Sequence, residues 1–244
     1  MKQIDINCDL GEGIGNEAEL MPYLSSCNIA CGGHAGDEQT MRQVALLANT
    51  HNVKIGAHPS FPDREHFGRV VMQMSMEILR ASLIEQIVAF QQILKEEGLQ
   101  LHHIKPHGAL YNLAAKDTET AEVIVEVVIQ IDPNLVLFVP YNSIIAEIAI
   151  ANGIKIAYEA FIDRNYNDDL SLVSRQQSNA MIADSDQMSE HVLRMVTSGQ
   201  VKTISGKLVT IKADTFCVHG DGEDVVSNLK SVTKKLQQHN IKIK

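Results

Sequence analysis

The chain has 244 residues, 45% hydrophobic and 21% charged, with a formal net charge of −9. That composition belongs to a globular protein with a substantial core, and the negative balance argues against a phosphate backbone as partner, because the short Lys234-Lys235 pair cannot offset it. No stretch reaches the ~18 consecutive apolar residues of a membrane span, and the opening MKQIDIN lacks an apolar signal core, so a cytoplasmic protein without membrane contact is expected.

A first β-rich run occupies residues 4–10 and a second residues 26–30. Between 38 and 51, Met41, Val44, Ala45, Leu47 and Ala48 recur at helical spacing, and a third β-rich run follows at 53–58. The same helical period governs 75–97, where Gly98 stops it, and a fourth strand is expected over 101–106. Asp117 heads a helix to Ile131, strand five covers 135–140, and Ser143 starts a helix that ends before Gly153. Strand six covers 154–161 and a helix runs from Asp186 to Gly199. Residues 201–211, with Ser205-Gly206 at the centre, read as a hairpin inserted before the last strand at 215–219. A closing helix runs from Asp224 towards Asn240.

Alternating β and α units imply a parallel sheet. With no linker, low-complexity run or longer repeat, residues 1–244 form one α/β domain. An open sheet gathers its site at one switch point, whereas a closed barrel collects polar residues from nearly every strand's C-terminal end. Here the first strand runs into Asn7, Asp9 and Glu12, the second into Asn28 and His34, and the third into His58. The fourth delivers Lys105 and His107, the sixth Glu159, Asp163 and Arg164, and the last His219 and Asp221. Six of seven strands therefore end in ionisable groups, which predicts a single distorted, TIM-barrel-like (β/α) barrel of seven parallel strands with one shared site.

Any one of these histidines taken alone is better explained as a structural residue; it is their convergence that marks a site. His51, His191 and His239 fall on or near helices and are expected to face solvent, while His102 and His103 open the fourth strand at the opposite end of the barrel. Cys8, Cys27, Cys31 and Cys217 lack paired Cys-x-x-Cys spacing and read as buried reduced thiols, none of them a nucleophile. The glycines 11, 13 and 15 have neither the Walker nor the dinucleotide spacing.

NCDLGE (7–12), NIACGGHAGD (28–37), GAHP (56–59), FGR (67–69), KPHGALYN (105–112), EAFIDRNY (159–166) and CVHGD (217–221) occur in order along nearly the whole chain. In this set the sequence resembles the LamB/YcsF family, whose fold is a distorted seven-stranded barrel related to carbohydrate deacetylases. It departs from the family pattern at Val70, Asp169 and Ser174, in loops expected at the rim near Arg69 and Arg175. The resemblance implies the A subunit of an ATP-dependent 5-oxoprolinase, which opens the lactam of 5-oxoproline to glutamate with ATP, and Mg with it, and works with subunits B and C; a homo-oligomer is compatible with this.

Opening an unactivated lactam needs a base for water and donors for the oxyanion. Asp9, Glu12 or Glu159 is assigned the base, Lys105 and the histidines 34, 58, 107 and 219 the developing charge, and Arg164 the substrate carboxylate, with Asn7, Asn28, Asp163 and Asp221 as further substrate contacts. A second reading is a stand-alone metal-dependent amidohydrolase of the deacetylase type, with Asp9, His34, His58, His107 and His219 as candidate ligands of a transition metal. A third is a non-catalytic chain that binds the substrate or holds a partner.

Overall fold

A computed structural model describes residues 2–222 and 224–243. Seven strands, β1 (Lys2–Leu10), β2 (Ser26–Ala30), β3 (Lys54–His58), β4 (His103–Ile104), β5 (Val136–Pro140), β6 (Lys155–Phe161) and β9 (Thr215–His219), pair in parallel in that order. Pairing of β9 back onto β1, from Asp5 opposite Thr215 to Asp9 opposite His219, closes the barrel. The expected hairpin forms as β7 (Gln200–Lys202) against β8 (Leu208–Thr210), antiparallel and outside the barrel. A further strand, β10 (Ile241–Ile243), has no counterpart among the expected elements; it extends the sheet by pairing in parallel with Lys2 to Ile4.

The helices are α1 (Glu17–Leu20), α2 (Glu38–Thr50), α3 (Met76–Glu96), α4 (Gly108–Ala114), α5 (Thr118–Ile131), α6 (Ile144–Ala151), α7 (Ser185–Ser198) and α8 (Val225–Gln238). Side chains of Asp37, Ser75, Asp117, Ser143 and Asp184 accept from backbone N–H groups of the first turns of α2, α3, α5, α6 and α7, the reason these helices start where they do. Asp224 precedes α8 with left-handed backbone (φ 55°) and makes no such bond. Only β4 falls well short of its expected span, 101–106. Hydrogen bonds from His102 N to Ile55 O (2.8 Å) and from Lys105 N to Ala57 O (3.0 Å) keep the chain extended beside β3, but Pro106 has no N–H to continue the ladder.

Side chains alternate across each strand. On β1 the outward set, Ile4, Ile6, Cys8 and Leu10, joins the hydrophobic layer under the helices, while the inward set is Asp5, Asn7 and Asp9, each buried. Barrel interiors are ordinarily filled by branched aliphatic residues. This one is threaded by hydrogen bonds instead. At the base, Asp5 accepts from Ser26 Oγ (2.6 Å) and Thr215 Oγ1 (2.7 Å) and lies 3.4 Å from Lys54 Nζ. Above it Asn7 donates to Thr215 Oγ1 (2.7 Å) and Glu159 Oε1 (2.9 Å), and Asn28 donates to Asn7 Oδ1 and Asp9 Oδ1, both at 2.8 Å.

His103 is fully buried in this column: Nε2 donates to Asn28 Oδ1 (2.8 Å) and the ring stacks on Phe138. Its partner position on β3 is Gly56, where a Cβ would lie 2.1 Å from His103 Nε2. Gly56→Ala is therefore expected to displace the imidazole and destabilise the fold by roughly 1–3 kcal/mol, the range for overpacking a filled core; urea denaturation measures it.

His51 and His239 are exposed as expected, but His191 is not. Met188, His191, Val192 and Met195 share the buried face of α7, so helical spacing itself places His191 inward, against Tyr166. Burial pushes its imidazole down to about 4. The folded state then holds fewer protons than the unfolded one between roughly pH 6.5 and 4, so this contribution to stability is complete above that window and lost as pH falls through it. Between pH 7 and pH 4.5 the parent protein is expected to lose roughly 2–3 kcal/mol more than His191→Phe, by urea denaturation at both pH values.

Candidate active site

All seven barrel strands exit on one face, and a cavity of about 870 Å³ opens there. Its floor is Asp9 and Lys105 with Glu159, its walls include Glu12, His58, His107, Tyr111, Phe161 and His219, and its rim Arg69, Arg164, Arg175 and Tyr141. Val70, Asp169 and Ser174, where the chain departs from the family pattern, also line it.

Lys105 leaves the end of β4 and turns back into the barrel, where Nζ lies 2.8 Å from Asp9 Oδ1, 3.0 Å from Glu159 Oε1 and 3.1 Å from Cys217 Sγ. Burial alone would lower the ammonium's pKa, but the carboxylates Asp9 and Glu159 outweigh it and raise it well above the usual lysine value. Asp9 is likewise opposed by burial yet held well below the ordinary carboxylate range by His58 and Lys105. An ion cluster forms: a permanent ammonium clamped by carboxylates. Burial raises the Cys217 thiol well above its usual value, and all four cysteines are free and buried, so no thiolate is prepared for attack.

Glu12, His34, His58 and His107 form a second cluster beside Asp9. His34 Nε2 lies 2.9 Å from Glu12 Oε1, and its ring stacks on His107 at 3.6 Å. His58 Nε2 is 2.9 Å from His107 Nδ1 and 3.3 Å from Asp9 Oδ2. Burial, with His58 and His34 adding to it, lowers His107 well below the usual imidazole value.

On the opposite wall Asp163 accepts from the backbone N–H (2.9 Å) and Nδ1 (3.0 Å) of His219, whose ring stacks on Phe161. Burial would raise Asp163, but His219 and these bonds bring it below the usual value. A carboxylate on Nδ1 leaves Nε2 as the acceptor of a neutral ring.

The sequence-predicted residues thus divide. Asp9, Glu12, His58, Lys105, His107, Glu159, Arg164 and His219 line the cavity. Asn7, Asn28, His34 and Asp163 stand behind them as hydrogen-bond partners, and Asp221 sits at the mouth, paired with Arg69 (2.7 Å) and Arg175 (3.4 Å). The expected metal set splits between the Glu12–His34–His58–His107 group and a separate Asp9–Cys217–His219 group. Tyr111, absent from the predicted set, lies on α4 inside the KPHGALYN stretch; its ring meets Phe161 edge-on, and burial and Glu159 push its hydroxyl well above the usual tyrosine value.

Among the described residues, six buried side-chain atoms have no hydrogen-bond partner, and three belong to this cavity: Tyr111 Oη, Glu159 Oε2 and Arg164 Nε. Leaving such groups unpaired costs about 1–3 kcal/mol each, so these three cavity-lining residues call for polar partners, which the neighbouring Tyr111 and Glu159 side chains, water or a ligand can supply.

A closed (β/α) barrel with paired acids, a buried lysine and a carboxylate-held histidine at its C-terminal mouth defines an acid–base enzyme of the barrel class. The chain belongs to the LamB/YcsF family, whose model matches residues 4–244. It is 45% identical to a protein of Geobacillus thermodenitrificans named as the A subunit of 5-oxoprolinase, over 100% of this chain and 96% of the relative. A protein of Pyrococcus abyssi with the same name is 42% identical over 99% and 96%. The crystal structure of a lactam utilization protein from Thermus thermophilus superposes with a TM-score of 0.92 at 38% identity, over 100% of this chain and 99% of that one.

Proposed function

We propose that the chain is the A subunit of a 5-oxoprolinase, a hydrolase that opens the lactam of 5-oxoproline to L-glutamate. The relatives' names and the lactam utilization protein support that reading. The observation that carries it is that Tyr111, Glu159 and Arg164, each with a buried polar atom lacking a partner, line the cavity together. The substrate offers one N–H donor, one lactam carbonyl and one carboxylate. Among the residues lining the cavity, the Glu159 carboxylate suits the N–H, the Tyr111 hydroxyl, kept protonated by burial, the carbonyl, and the Arg164 guanidinium the carboxylate.

Water adds to the carbonyl carbon, the C–N bond breaks, and the ring nitrogen leaves as the amine of glutamate. His219, oriented by Asp163, takes the proton of water and returns it to the ring nitrogen as the C–N bond breaks. This role passes from the carboxylates considered from the sequence because Asp9 is committed to Asn28, Lys105 and His58, and the Glu12 oxygen to His34. Lys105 holds a positive charge under the oxyanion as it forms. ATP cleavage with Mg, partner subunits B and C, and a cytoplasmic location complete the proposal; no helix among the described residues is long and apolar enough to cross a membrane.

Reconstitution tests it. Glutamate release that needs this chain, ATP and the two partners together is the expected result. If the partners alone release glutamate, the chain is not the hydrolase; if the chain neither binds 5-oxoproline by calorimetry nor supports its hydrolysis, the reading fails.

A further inference from the structure

The histidine pair at the cavity wall is held in a peculiar way. His58 Nδ1 lies 2.7 Å from the carbonyl of Lys105, and His107 Nε2 lies 2.9 Å from the carbonyl of Phe67. A carbonyl only accepts, so each of these nitrogens carries its hydrogen, and in the neutral rings the remaining nitrogens, His58 Nε2 and His107 Nδ1, bear lone pairs. Those two lone pairs face each other at 2.9 Å. Glu12 Oε1, a third electron-rich atom, lies 3.4 Å from His107 Nδ1 and 4.0 Å from His58 Nε2. Three electron-pair donors directed at one point repel unless a cation stands between them, either a proton on His58 Nε2, the form that also lowers Asp9, or a metal ion.

The spacing scatters about what a metal ion requires, and a shift of the Glu12 carboxylate would even it. Metal–ligand bonds of 2.0–2.1 Å in tetrahedral geometry put ligand atoms ~3.4 Å apart, and the three edges here are 2.9, 3.4 and 4.0 Å. The surroundings also have the form of an outer ligand shell. Each histidine gives its other N–H to a backbone carbonyl, and His34 Nε2 steadies the Glu12 oxygen at 2.9 Å. The carbonyl that orients His107 belongs to Phe67, which holds left-handed backbone (φ 56°), a conformation costly for a bulky side chain. Gly68 follows, and a Cβ there would come within 3.0 Å of both His107 and His34.

We propose that Glu12 Oε1, His58 Nε2 and His107 Nδ1 form a binding site for a single divalent transition-metal ion of the zinc class, with Phe67, the Lys105 carbonyl and His34 as its orienting shell. Two imidazoles and a carboxylate are the ligand types that suit zinc or cobalt rather than calcium or magnesium. All three side chains line the cavity, so a ligand from the cavity can complete the coordination, and Asp9 Oδ2, 3.3 Å from His58 Nε2, stands beside that position. When bound, the ion supplies a Lewis acid on the wall next to Lys105. The inference does not depend on the lactam reading, since uptake is read without substrate.

The test uses the full chain, stripped with a chelator and titrated with Co2+ by visible absorption and with Zn2+ by calorimetry. One equivalent is expected to bind, with the intense d–d absorption of a low-coordinate site, and with 15N shifts at His58 Nε2 and His107 Nδ1 while His107 Nε2–H stays protonated. Loss of an outer-shell partner costs 10–100-fold in metal affinity, so Glu12→Gln and His107→Gln, which remove a ligand, should each cost at least about 100-fold. Glu12 sits in a loop at the edge of the cavity, so its variant tests the site even if the His107 variant does not fold. His219→Asn, in the other ligand group, should bind as the parent does. Absence of uptake with a proton shared between His58 and His107 in the 15N spectrum, or binding retained in Glu12→Gln, or binding lost in His219→Asn alone, would overturn the proposal.

Discussion

Replacing Lys105 with methionine is expected to cost about 10²–10³-fold in glutamate release by the reconstituted enzyme, the range for removing one preorganised electrostatic stabiliser of a developing oxyanion. The same change strips the only ammonium, among the described residues, within 3.0 Å of both Asp9 and Glu159, leaving two carboxylates facing each other in a buried site. Breaking a buried pair from one side costs about 3–5 kcal/mol, so the variant should also unfold at lower urea concentration. The two effects can be separated. Lys105→Met combined with Glu159→Gln removes one of the stranded charges and should recover part of the stability but none of the activity. Recovery of both would mean that Lys105 serves only to neutralise the floor of the cavity.

A comparable loss is expected on the opposite wall. His219→Asn removes the base and should lower kcat about 10²–10⁴-fold with little change in KM. Asp163→Asn tests the same step from behind. Asp163 accepts from His219 Nδ1, and an amide at that position can present an N–H in its place, which favours the ring tautomer with the hydrogen on Nε2, pointing the wrong way. Its kcat should fall by a similar factor while 5-oxoproline still binds. An Asp163→Asn enzyme with full kcat would remove His219 from the mechanism. Purely structural roles predict lower stability for both variants without this kcat-against-KM division.

The barrel is readable in the sequence because its signals are redundant. Asp117 and Ser143 cap the helices they are expected to head, whereas the helix expected from Asp186 is capped two residues earlier by Asp184 and the one from Asp224 has no side-chain cap. The elements that escape are short. α1 has 4 residues, α4 has 7, and β10 has 3, too few for either periodicity to repeat. The polar strand ends are visible because they follow apolar runs directly, and the structure brings most of them to one cavity.

What pattern reading misses depends on which way a side chain turns. His103 reads as a residue of the far end of the barrel, yet it reaches inward to Asn28 and so to Asp9. The alternation Asp5, Asn7, Asp9 carries this information, since it places polar residues on the face that in a barrel meets no water. His191 reads as a solvent residue because it is polar, although its spacing from Met188, Val192 and Met195 puts it on the buried face. Tyr111 has no ionic charge at neutral pH to draw attention, and only its unpartnered hydroxyl in the cavity distinguishes it.

The hydrogen-bonded interior has a consequence for how this protein tolerates change. In a barrel filled with aliphatic side chains, isosteric swaps inside are mild and the sensitive positions cluster around the substrate. Here Asp5, Asn7, Asn28 and His103 each bridge at least two partners, and each bridge leads step by step to Asp9 or Glu159. An exhaustive substitution scan scored on turnover would therefore draw its intolerant positions as a column running the depth of the barrel, with residues that never meet the substrate scoring alongside those that do.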